Sequence, residues 1–588
     1  MFERLLLVAW QYSIEPLGLM HLAGVARDAG KQCSIVLLRN ADDLTDLQTA
    51  IDSFKPDLVG VQIWTGFHQQ MFSVCNYVRA LGLPTVIGGP HATYFKAECA
   101  AHADWVVQGH GFRLLHRLLT DTPPKGVLFD EKWSDGKIPM PDRAVLLESY
   151  PVFRNSAIMS MIASVGCPYH CTYCYAPVIN SMYGGFRLVV RDPGDLVAEG
   201  QELRQRWGTS LVYFQDDVFG FDVKWLREFS RRWKEEVGLA FHCQIRIELT
   251  LGAVGDERLD LLAAAGCSGI TLAIESGHAF LRDHVLFRHM PEESIKDGCG
   301  KIMTRGMSLR IEQILAVPFS SLDTELETLR LNAEINPTMA WTSILAPYGG
   351  TNMGSIASRY GIYDRTNDDL QSSFFTRSVM RHVEGGPRDI AAIVAELKAD
   401  ARSRILLNMK AEPEADGLSA RIVHDTLGAV GSIRYLDERA NQDYCDATAR
   451  LQALFMWLAR VPGPRELARA LITVPAAEWS WERFGELAEK HLAAALPPGE
   501  LERQTATLAR DMGVAPETLP PGVARIPWYF TVFAGSATLA ALAVKEGVFG
   551  HADAMTGLYA LGTLIRRHTY DAELYKVAPT TAPIAVYR

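Results

Sequence analysis

The chain has 588 residues, with 58 Lys and Arg against 68 Asp and Glu, and its formal net charge is −10. A chain of this length exceeds what a single hydrophobic core supports, which predicts about three or four domains. The acidic balance argues against nucleic acid as a partner, because binding to phosphates needs a basic surface.

Two features of the sequence favour a cytoplasmic location. The N-terminal apolar run is too short for a signal peptide and continues as a strand pattern. Residues 528–544 form the longest apolar stretch, but it is short for a membrane span and is followed at once by Lys545 and Glu546, so we expect a buried helix and no span. The 10 cysteines, without a secretion signal, indicate a reducing compartment in which clustered cysteines bind metals or act in catalysis.

Residues 1–120 alternate between strand and helix patterns. Five short apolar runs, rich in β-branched residues, predict buried strands at 5–10, 33–38, 58–64, 85–89 and 105–109. Helical patterns between them predict an α/β, doubly wound, Rossmann-like parallel sheet. Ligands of such sheets bind at the carboxyl ends of the strands. At those ends the chain has Trp10, Trp64, Thr65, Gly88, Gly89, His91, Gly109 and His110.

A second α/β region follows a segment rich in Pro, Asp and Lys, residues 121–155, which we interpret as a linker. Six apolar runs between residues 156 and 385 predict a partial (β/α)6 barrel, whose chemistry would lie at the carboxyl ends of its strands. From 386 to 588 the strand pattern fades and Ala- and Leu-rich helical patterns predict a helical C-terminal domain. We expect this domain to cap the barrel or bind the substrate. Its Trp457, Trp479, Trp481 and Trp528 are more typical of a core than of a binding site.

Cys167, Cys171 and Cys174 directly follow the first predicted barrel strand. Three thiolates at this spacing can wrap one inorganic cluster within a single loop. Zinc sites normally take four protein ligands, commonly as two separated pairs. A set of three therefore indicates a [4Fe–4S] cluster with one iron open to a further ligand. Zinc, with His170 as its fourth ligand, stays open as the alternative.

This CxxxCxxC motif, with Tyr173 before its last cysteine on the loop after the first barrel strand, resembles the radical S-adenosylmethionine superfamily. The resemblance implies that the amino and carboxylate groups of S-adenosylmethionine bind the open iron. It also implies that Asp216 or Asp217, after the second strand, holds the methionine amino group. The alternative for either aspartate is a cap on the following helix.

Further strand ends match the same family. The pattern of Arg246 followed by Ala-Gly-Cys and then by Glu275-Ser276-Gly277 is common in this branch, and implies contacts with the ribose or carboxylate of the cofactor. A structural salt bridge is the alternative for Arg246. Glu312 and Gln313 on the fifth strand are expected to face the same end of the barrel.

The N-terminal segment resembles the cobalamin-binding domain that precedes this barrel in class B radical enzymes. The resemblance rests on residues 15–23, 56–60, 88–93 and 104–109. Glycines at the strand ends let a flat macrocycle approach the backbone closely. The chain lacks an Asp-x-His-x-x-Gly signature, which implies that Trp64, His68 or Gln69 covers the lower face of the cobalt. We expect Cys33, Cys75 and Cys99 to be core thiols.

These resemblances imply a methyltransferase that moves a methyl group from S-adenosylmethionine through methylcobalamin to a carbon of a small molecule, such as a natural-product intermediate. A one-electron donor such as flavodoxin or ferredoxin would reduce the cluster. Ring formation or another rearrangement on the same scaffold is one alternative. A cobalamin- or S-adenosylmethionine-binding regulator without turnover is another. The sequence does not distinguish radical from polar methyl transfer.

Overall fold

The computed structural model describes residues 2–382 and 436–448. Gaps within these ranges fall at 13, 40, 42, 133–136, 155, 157, 336, 338, 360, 364, 371–377, 443 and 446–447. Most of the helical domain expected at 386–588, with its four tryptophans, lies outside the described residues. Within the described ranges, no helix combines the length and the apolar character that a membrane crossing requires.

The first sheet has six parallel strands in the order β2-β1-β3-β4-β5-β6. Its strands are β1 (Arg4–Trp10), β2 (Gln32–Leu38), β3 (Leu58–Gln62), β4 (Thr85–Gly88), β5 (Trp105–Gln108) and β6 (Gly126–Phe129). The accompanying helices are α1 (Leu17–Asp28), α2 (Thr45–Phe54), α3 (His68–Ala80), α4 (Pro90–Tyr94), α5 (Lys96–Cys99) and α6 (Phe112–Thr120). Alternate residues of β1 pack into different apolar clusters, Leu5 and Leu7 into one and Leu6 and Val8 into the other, so both faces of the sheet are covered.

Five of these strands are those that the sequence predicts, and the sixth was missed. β6 lies within residues 121–155, which we expected to be a linker, so the first sheet extends beyond residue 120. The strand pairs with β5 alone and its residues are exposed or half-buried. An edge strand of this kind needs no continuous apolar run, and therefore leaves little signal in the sequence.

The second sheet is the predicted partial barrel, with six parallel strands in the order β14-β13-β12-β11-β10-β7. Its strands are β7 (Ile158–Met161), β10 (Leu211–Phe214), β11 (Ala240–Ile245), β12 (Cys267–Glu275), β13 (Ser308–Leu315) and β14 (Met339–Ile344). A separate antiparallel pair, β8 (Ser164–Val165) and β9 (Val189–Val190), flanks the cysteine motif.

Helices separate the barrel strands as the sequence predicts. They are α9 (Ala176–Met182), α10 (Pro193–Arg206), α11 (Val223–Arg232), α12 (Gly252–Ala264), α13 (Glu292–Thr304), α14 (Leu322–Ile335) and α15 (Asn352–Arg359). Two short helices, α7 (Ala144–Leu147) and α8 (Pro151–Arg154), follow the last strand of the first sheet in the chain and precede the first strand of the second. Short π-helical turns occur at Trp233–Val237 and Leu281–Val285, and 3₁₀ turns at Ile247–Thr250 and Asn367–Asp369.

A buried ion network fastens the connecting segment to the barrel. Glu199 of α10 accepts hydrogen bonds from Arg143, at 3.1 Å from its Nε, and from Arg191, at 2.6 Å from its Nη1. Arg143 also donates to the carbonyl of Ser160 on β7, at 2.6 Å. All three charged side chains are at most 1% exposed. Burial alone would raise the pKa of Glu199, but the two guanidinium groups outweigh it and lower the pKa to about 2.

We expect Arg143→Met to destabilise the fold by about 3–5 kcal/mol, because the buried Glu199 carboxylate and the Ser160 carbonyl both lose a charged donor and each such hydrogen bond contributes about 1.5–3 kcal/mol. The matched control is Arg206→Met, which breaks an ion pair with Glu148 whose side chains are 51% and 62% exposed. Such a pair contributes less than about 1 kcal/mol. Urea unfolding of the two variants measures the difference. Equal midpoints would show that the buried network does not stabilise the fold.

Candidate functional site

The cysteine loop begins at a glycine that no other residue can replace without movement. Gly166 follows β8 with φ +118°, and a Cβ there would lie 2.1 Å from the carbonyl oxygen of Arg187. Farther along, the amide of Asn180 donates to the carbonyl of Cys167 at 2.8 Å, and the hydroxyl of Thr172 donates to the carbonyl of Val285 at 2.6 Å. The loop is therefore held on both sides.

The three thiols of the motif are not among the sets of described ligand atoms that lie close enough together to hold one ion. Two zinc-bound sulfurs lie about 3.8 Å apart, given Zn–S bonds of about 2.3 Å. Among the described residues, the one group with three ligand atoms within 4.8 Å of one another is elsewhere, at His68, His91 and Glu98. His170, the fourth ligand of the zinc alternative, is exposed. The loop therefore fits a polynuclear cluster with these three thiolates as ligands.

Two guanidinium groups converge on the sulfur of Cys171. Nη1 of Arg246 lies 3.3 Å from it and Nη1 of Arg288 lies 3.5 Å from it. Arg246 also stacks on the ring of Tyr169 at 3.6 Å and donates through Nε to Glu248 at 3.0 Å. Arg246 is therefore a cluster neighbour as well as a member of a salt bridge. Arg288 belongs to no recognisable motif, and the sequence analysis missed it.

Tyr173 and Glu275, predicted to lie at the same end of the barrel, are in contact. The tyrosine hydroxyl donates to the carboxylate at 2.5 Å, and Nη1 of Arg288 lies 3.9 Å from the same carboxylate. Burial raises the pKa of Glu275. Ser276 is also buried, but its hydroxyl accepts the backbone N–H of His278 at 3.2 Å, so it closes a turn.

The structure separates the roles of the two adjacent aspartates. Asp216 is fully buried and accepts hydrogen bonds from the backbone N–H of Ala163 at 2.9 Å and from the hydroxyl of Ser164 at 2.6 Å. Its carboxylate thus supports the turn into the cysteine loop, and burial raises its pKa to about 7. Asp217 is exposed, and its charge helps to raise the pKa values of Cys167 and Cys174 beyond the effect of burial. Asp217 is therefore the aspartate placed to meet a ligand at the cluster.

Glu312 and Gln313, both expected at the same end of the barrel, point to opposite sides of their strand. The Gln313 amide donates to the hydroxyl of Thr342 at 2.8 Å and accepts from Asn332 of α14 at 3.0 Å. It therefore points toward the helix layer, because successive strand residues face opposite sides. Glu312 points the other way and pairs with Arg310 at 2.6 Å.

The carboxyl edge of the first sheet fits a flat macrocycle. A Cβ at Gly88 would meet no atom closer than 4.0 Å, so this position is open, whereas a Cβ at Gly109 would lie 2.2 Å from the Tyr183 hydroxyl, so that position is already covered. The Trp64 side chain beside them is 42% exposed. The indole N–H of Trp10 is buried and has no hydrogen-bond partner among the described residues, which leaves a donor for a polar ligand group.

His68 and Gln69 are held by a distant aspartate rather than presented at this edge. Nδ1 of His68 accepts the backbone N–H of Gly66 at 3.2 Å, so Nε2 carries the proton and donates to Asp368 at 2.6 Å. The amide of Gln69 donates to the same Asp368 oxygen at 2.8 Å. This proton position argues against metal binding by His68 despite the nearby ligand atoms. Of the three candidates for the lower face of the cobalt, His68 is buried, Gln69 is exposed but donates to Asp368, and Trp64 is exposed without such a hydrogen bond among the described contacts.

The two other histidines predicted at this edge, His91 and His110, are uncharged at neutral pH. His91 is buried between Thr65, at 3.0 Å from Nδ1, and Glu98, at 3.2 Å from Nε2, and burial lowers its pKa to about 3. Burial lowers the pKa of His110 to about 4. The backbone N–H of His110 donates to the hydroxyl of Tyr183 at 3.0 Å. Both residues therefore shape neighbouring loops.

The carboxyl edges of the two sheets face each other across a pair of stacked tyrosines. Tyr94, at the end of α4, stacks on Tyr175 with 3.8 Å between ring centroids and 11° between planes. Tyr175 directly follows Cys174, and Tyr183 of the same region contacts the loop at Gly109. The sequence analysis missed this pair, although the aromatic residue after the last cysteine is a signal that could have identified it.

Two protein-family models match the regions of the chain that contain these two sheet edges. Residues 3–119 match the B12 binding domain, and residues 161–331 match the radical SAM superfamily. The chain belongs to the cobalamin-dependent radical S-adenosylmethionine enzymes. Its cofactors are accordingly a [4Fe–4S] cluster, S-adenosylmethionine and cobalamin.

Relatives of this radical enzyme are methyltransferases by name. It is 24% identical over 370 residues to an uncharacterized methyltransferase of Pyrococcus horikoshii, an alignment that covers 58% of this chain and 78% of the relative. It is 25% identical over 338 residues to the cytidylyl-2-hydroxyethylphosphonate methyltransferase of Streptomyces wedmorensis, covering 45% of this chain and 61% of the relative.

A solved structure shares the fold. The radical S-adenosylmethionine methyltransferase TsrM from Kitasatospora setae, with cobalamin and a [4Fe–4S] cluster bound, superposes with a TM-score of 0.51 at 19% identity. The match covers 62% of this chain and 76% of TsrM. The arrangement of a first parallel sheet in front of a partial barrel is therefore an established one for these two cofactors.

We expect Gly166→Ala to abolish cluster binding in this radical enzyme, because the added Cβ would collide with the Arg187 carbonyl and displace the cysteine loop. Gly184→Ala is the matched control, since Gly184 also has a positive φ, +69°, but no atom lies within 4 Å of its Cβ position. Iron per chain after anaerobic reconstitution is the measurement. Equal iron in both variants would contradict the argument.

Proposed function

We propose that the chain transfers a methyl group from S-adenosylmethionine, by way of cobalamin, to a carbon of a small-molecule substrate of the natural-product kind. The observation that carries this proposal is the stacking of Tyr94 on Tyr175, which places the end of the cysteine motif against the carboxyl edge of the first sheet. Cobalamin supplies a cobalt centre that accepts and donates methyl groups when bound. The methyltransferase relatives support the same kind of reaction.

The residues around the cluster loop have distinct tasks in this proposal. Cys167, Cys171 and Cys174 bind the cluster, and Asp217 accepts a hydrogen bond from the amino group of S-adenosylmethionine. Tyr173 is held by Glu275, at 2.5 Å, so its ring keeps a fixed position beside the motif. This arrangement orients the cofactor and excludes water before any chemistry begins.

Two further parts of the proposal concern the surroundings of the enzyme. A one-electron donor of the flavodoxin or ferredoxin class reduces the cluster, and the enzyme works in the cytoplasm. The substrates in the names of the relatives belong to those proteins. Product analysis identifies the carbon that this enzyme methylates.

We expect Asp217→Asn to weaken binding of S-adenosylmethionine about tenfold or more, because a hydrogen bond to a charged group contributes about 1.5–3 kcal/mol. Asp222→Asn is the matched control, since Asp222 caps α11 by accepting the Lys224 N–H at 2.8 Å and lies outside the cluster site. Equilibrium dialysis with the reconstituted enzyme measures both affinities. An unchanged affinity in Asp217→Asn would remove that residue from the site.

Cofactor counts and product mass test the proposed function as a whole. After anaerobic reconstitution with hydroxocobalamin we expect about four irons and one cobalt per chain. Cys171→Ala should lose the iron and keep the cobalt. Gly88→Val should do the reverse, because its side chain enters space that is open at the sheet edge and meets no protein atom closer than 4.0 Å from its Cβ.

With substrate, the intact enzyme should form a product about 14 Da heavier than the substrate, together with S-adenosylhomocysteine. A product of unchanged mass would point to a rearrangement on the same scaffold. Cofactor binding without any product from S-adenosylmethionine would point to a regulator. Either result would contradict methyl transfer.

A further inference from the structure

The electrostatic surroundings of the three cluster thiols are uneven. The Cys171 sulfur accepts hydrogen bonds from two guanidinium groups, from Nη1 of Arg246 at 3.3 Å and from Nη1 of Arg288 at 3.5 Å. Cys174 receives a backbone N–H, from Ala176 at 3.4 Å. Positive charge is therefore concentrated at one corner of the cluster site.

The two guanidinium groups differ in how their charge is balanced. Arg246 forms a two-pronged salt bridge with Glu248, through Nε at 3.0 Å and Nη2 at 2.5 Å. Arg288 is 5% exposed, and the nearest carboxylate among its described contacts is Glu275, at 3.9 Å. That carboxylate already accepts the hydroxyl of Tyr173. Arg288 also donates to the carbonyl of Ala273, so the Cys171 sulfur, a thiolate when it binds the cluster, is the nearest anionic partner of this buried cation.

The backbone around Arg288 is bent to bring it there. Phe287 has φ +56° and His289 has φ +41°, so a non-glycine residue on each side of Arg288 adopts the left-handed conformation. Glu275, which faces Arg288, has φ +63°. Strain of this kind persists where the surrounding structure enforces it, and it clusters at functional sites. Nε of Arg288 is buried and has no hydrogen-bond partner among the described residues.

We propose that Arg288 is a positioning residue that sets the reduction potential of the cluster through its hydrogen bond to the Cys171 sulfur. Hydrogen bonds and positive charge at a cluster thiolate stabilise the reduced state more than the oxidised state, because reduction adds one electron to an already anionic assembly. The electron comes from an external low-potential donor, no bond is formed or broken, and Arg288 keeps its proton throughout. This inference concerns the cluster alone and does not depend on methyl transfer.

The test is an anaerobic redox titration of the reconstituted full-length enzyme, followed by electron paramagnetic resonance with dithionite as reductant and without S-adenosylmethionine. At the potential where the unmodified enzyme is half reduced, we expect the reduced-to-oxidised ratio in Arg288→Gln to fall about tenfold, a shift of about 59 mV for a one-electron couple. Arg288→Lys retains the charge but not the planar donor geometry, and we expect a fall of about threefold.

Arg282→Gln is the matched control, because Arg282 is equally buried on the same segment but donates to the carbonyls of Ser276 and Gly277. Its ratio should match that of the unmodified enzyme. Iron per chain is counted in every sample, so loss of the cluster is distinguished from a change in potential. An unchanged ratio in Arg288→Gln with full iron would overturn the proposal. If that variant does not hold iron, Arg288→Lys decides, and an unchanged ratio there overturns it equally.

Discussion

The buried carboxylate of Glu199 is the constraint on which both halves of the site depend. Through Arg143 it fixes the segment that joins the two sheets, and through Arg191 it fixes the strand that pairs with the start of the cysteine loop. Arg143 also donates to the carbonyl of Ser160 on β7. The backbone N–H of Ser160 in turn donates to the carboxylate of Glu15, which lies between β1 and α1 of the first sheet. Apolar residues of similar volume would stabilise such a junction equally well, so the benefit of charge here is the single geometry that its hydrogen bonds permit. One network therefore sets the distance between the first sheet and the cluster loop.

The two edges joined in this way differ in their electrostatics. The edge of the first sheet is close to neutral, because burial keeps His91 and His110 uncharged and glycines provide the backbone surface. The cluster edge has fixed charges of both signs, with Arg288 at Cys171 and Asp217 on the other side. A neutral, bare edge suits a large macrocycle held by many weak contacts. A polarised edge suits an anionic cluster and a zwitterionic amino acid group, which need defined partners.

Local patterns in the sequence predicted most of the fold but only part of the site. Eleven of the twelve strands in the two large sheets correspond to apolar runs, and the missed one, β6, is a half-exposed edge strand. The cysteine motif was also predictable, as was the position of Tyr173 and Glu275 at one end of the barrel, but their contact was not. The choice between Asp216 and Asp217, or between Glu312 and Gln313, depends on which face of a strand or turn each side chain takes. Arg288 left no signal, because its position depends on left-handed backbone at Phe287 and His289, residue types that do not predict it.

Long-range contacts explain why motifs identify the ligands of this site but not its shape. His68 and Asp368 are 300 positions apart, yet their hydrogen bond joins the first sheet to the segment that follows the barrel. Asn367, next to Asp368, accepts the backbone N–H of Gly349, and the carbonyl of Gly349 accepts the hydroxyl of Tyr175 beside the last cysteine. This series of hydrogen bonds ends at Tyr175, which stacks on Tyr94. It therefore lies along one side of the contact between the two sheet edges. His68, one of the three residues that the family resemblance suggested for the cobalt face, instead donates its Nε2 proton to Asp368, which follows the barrel in the chain, and so joins the two parts of the site.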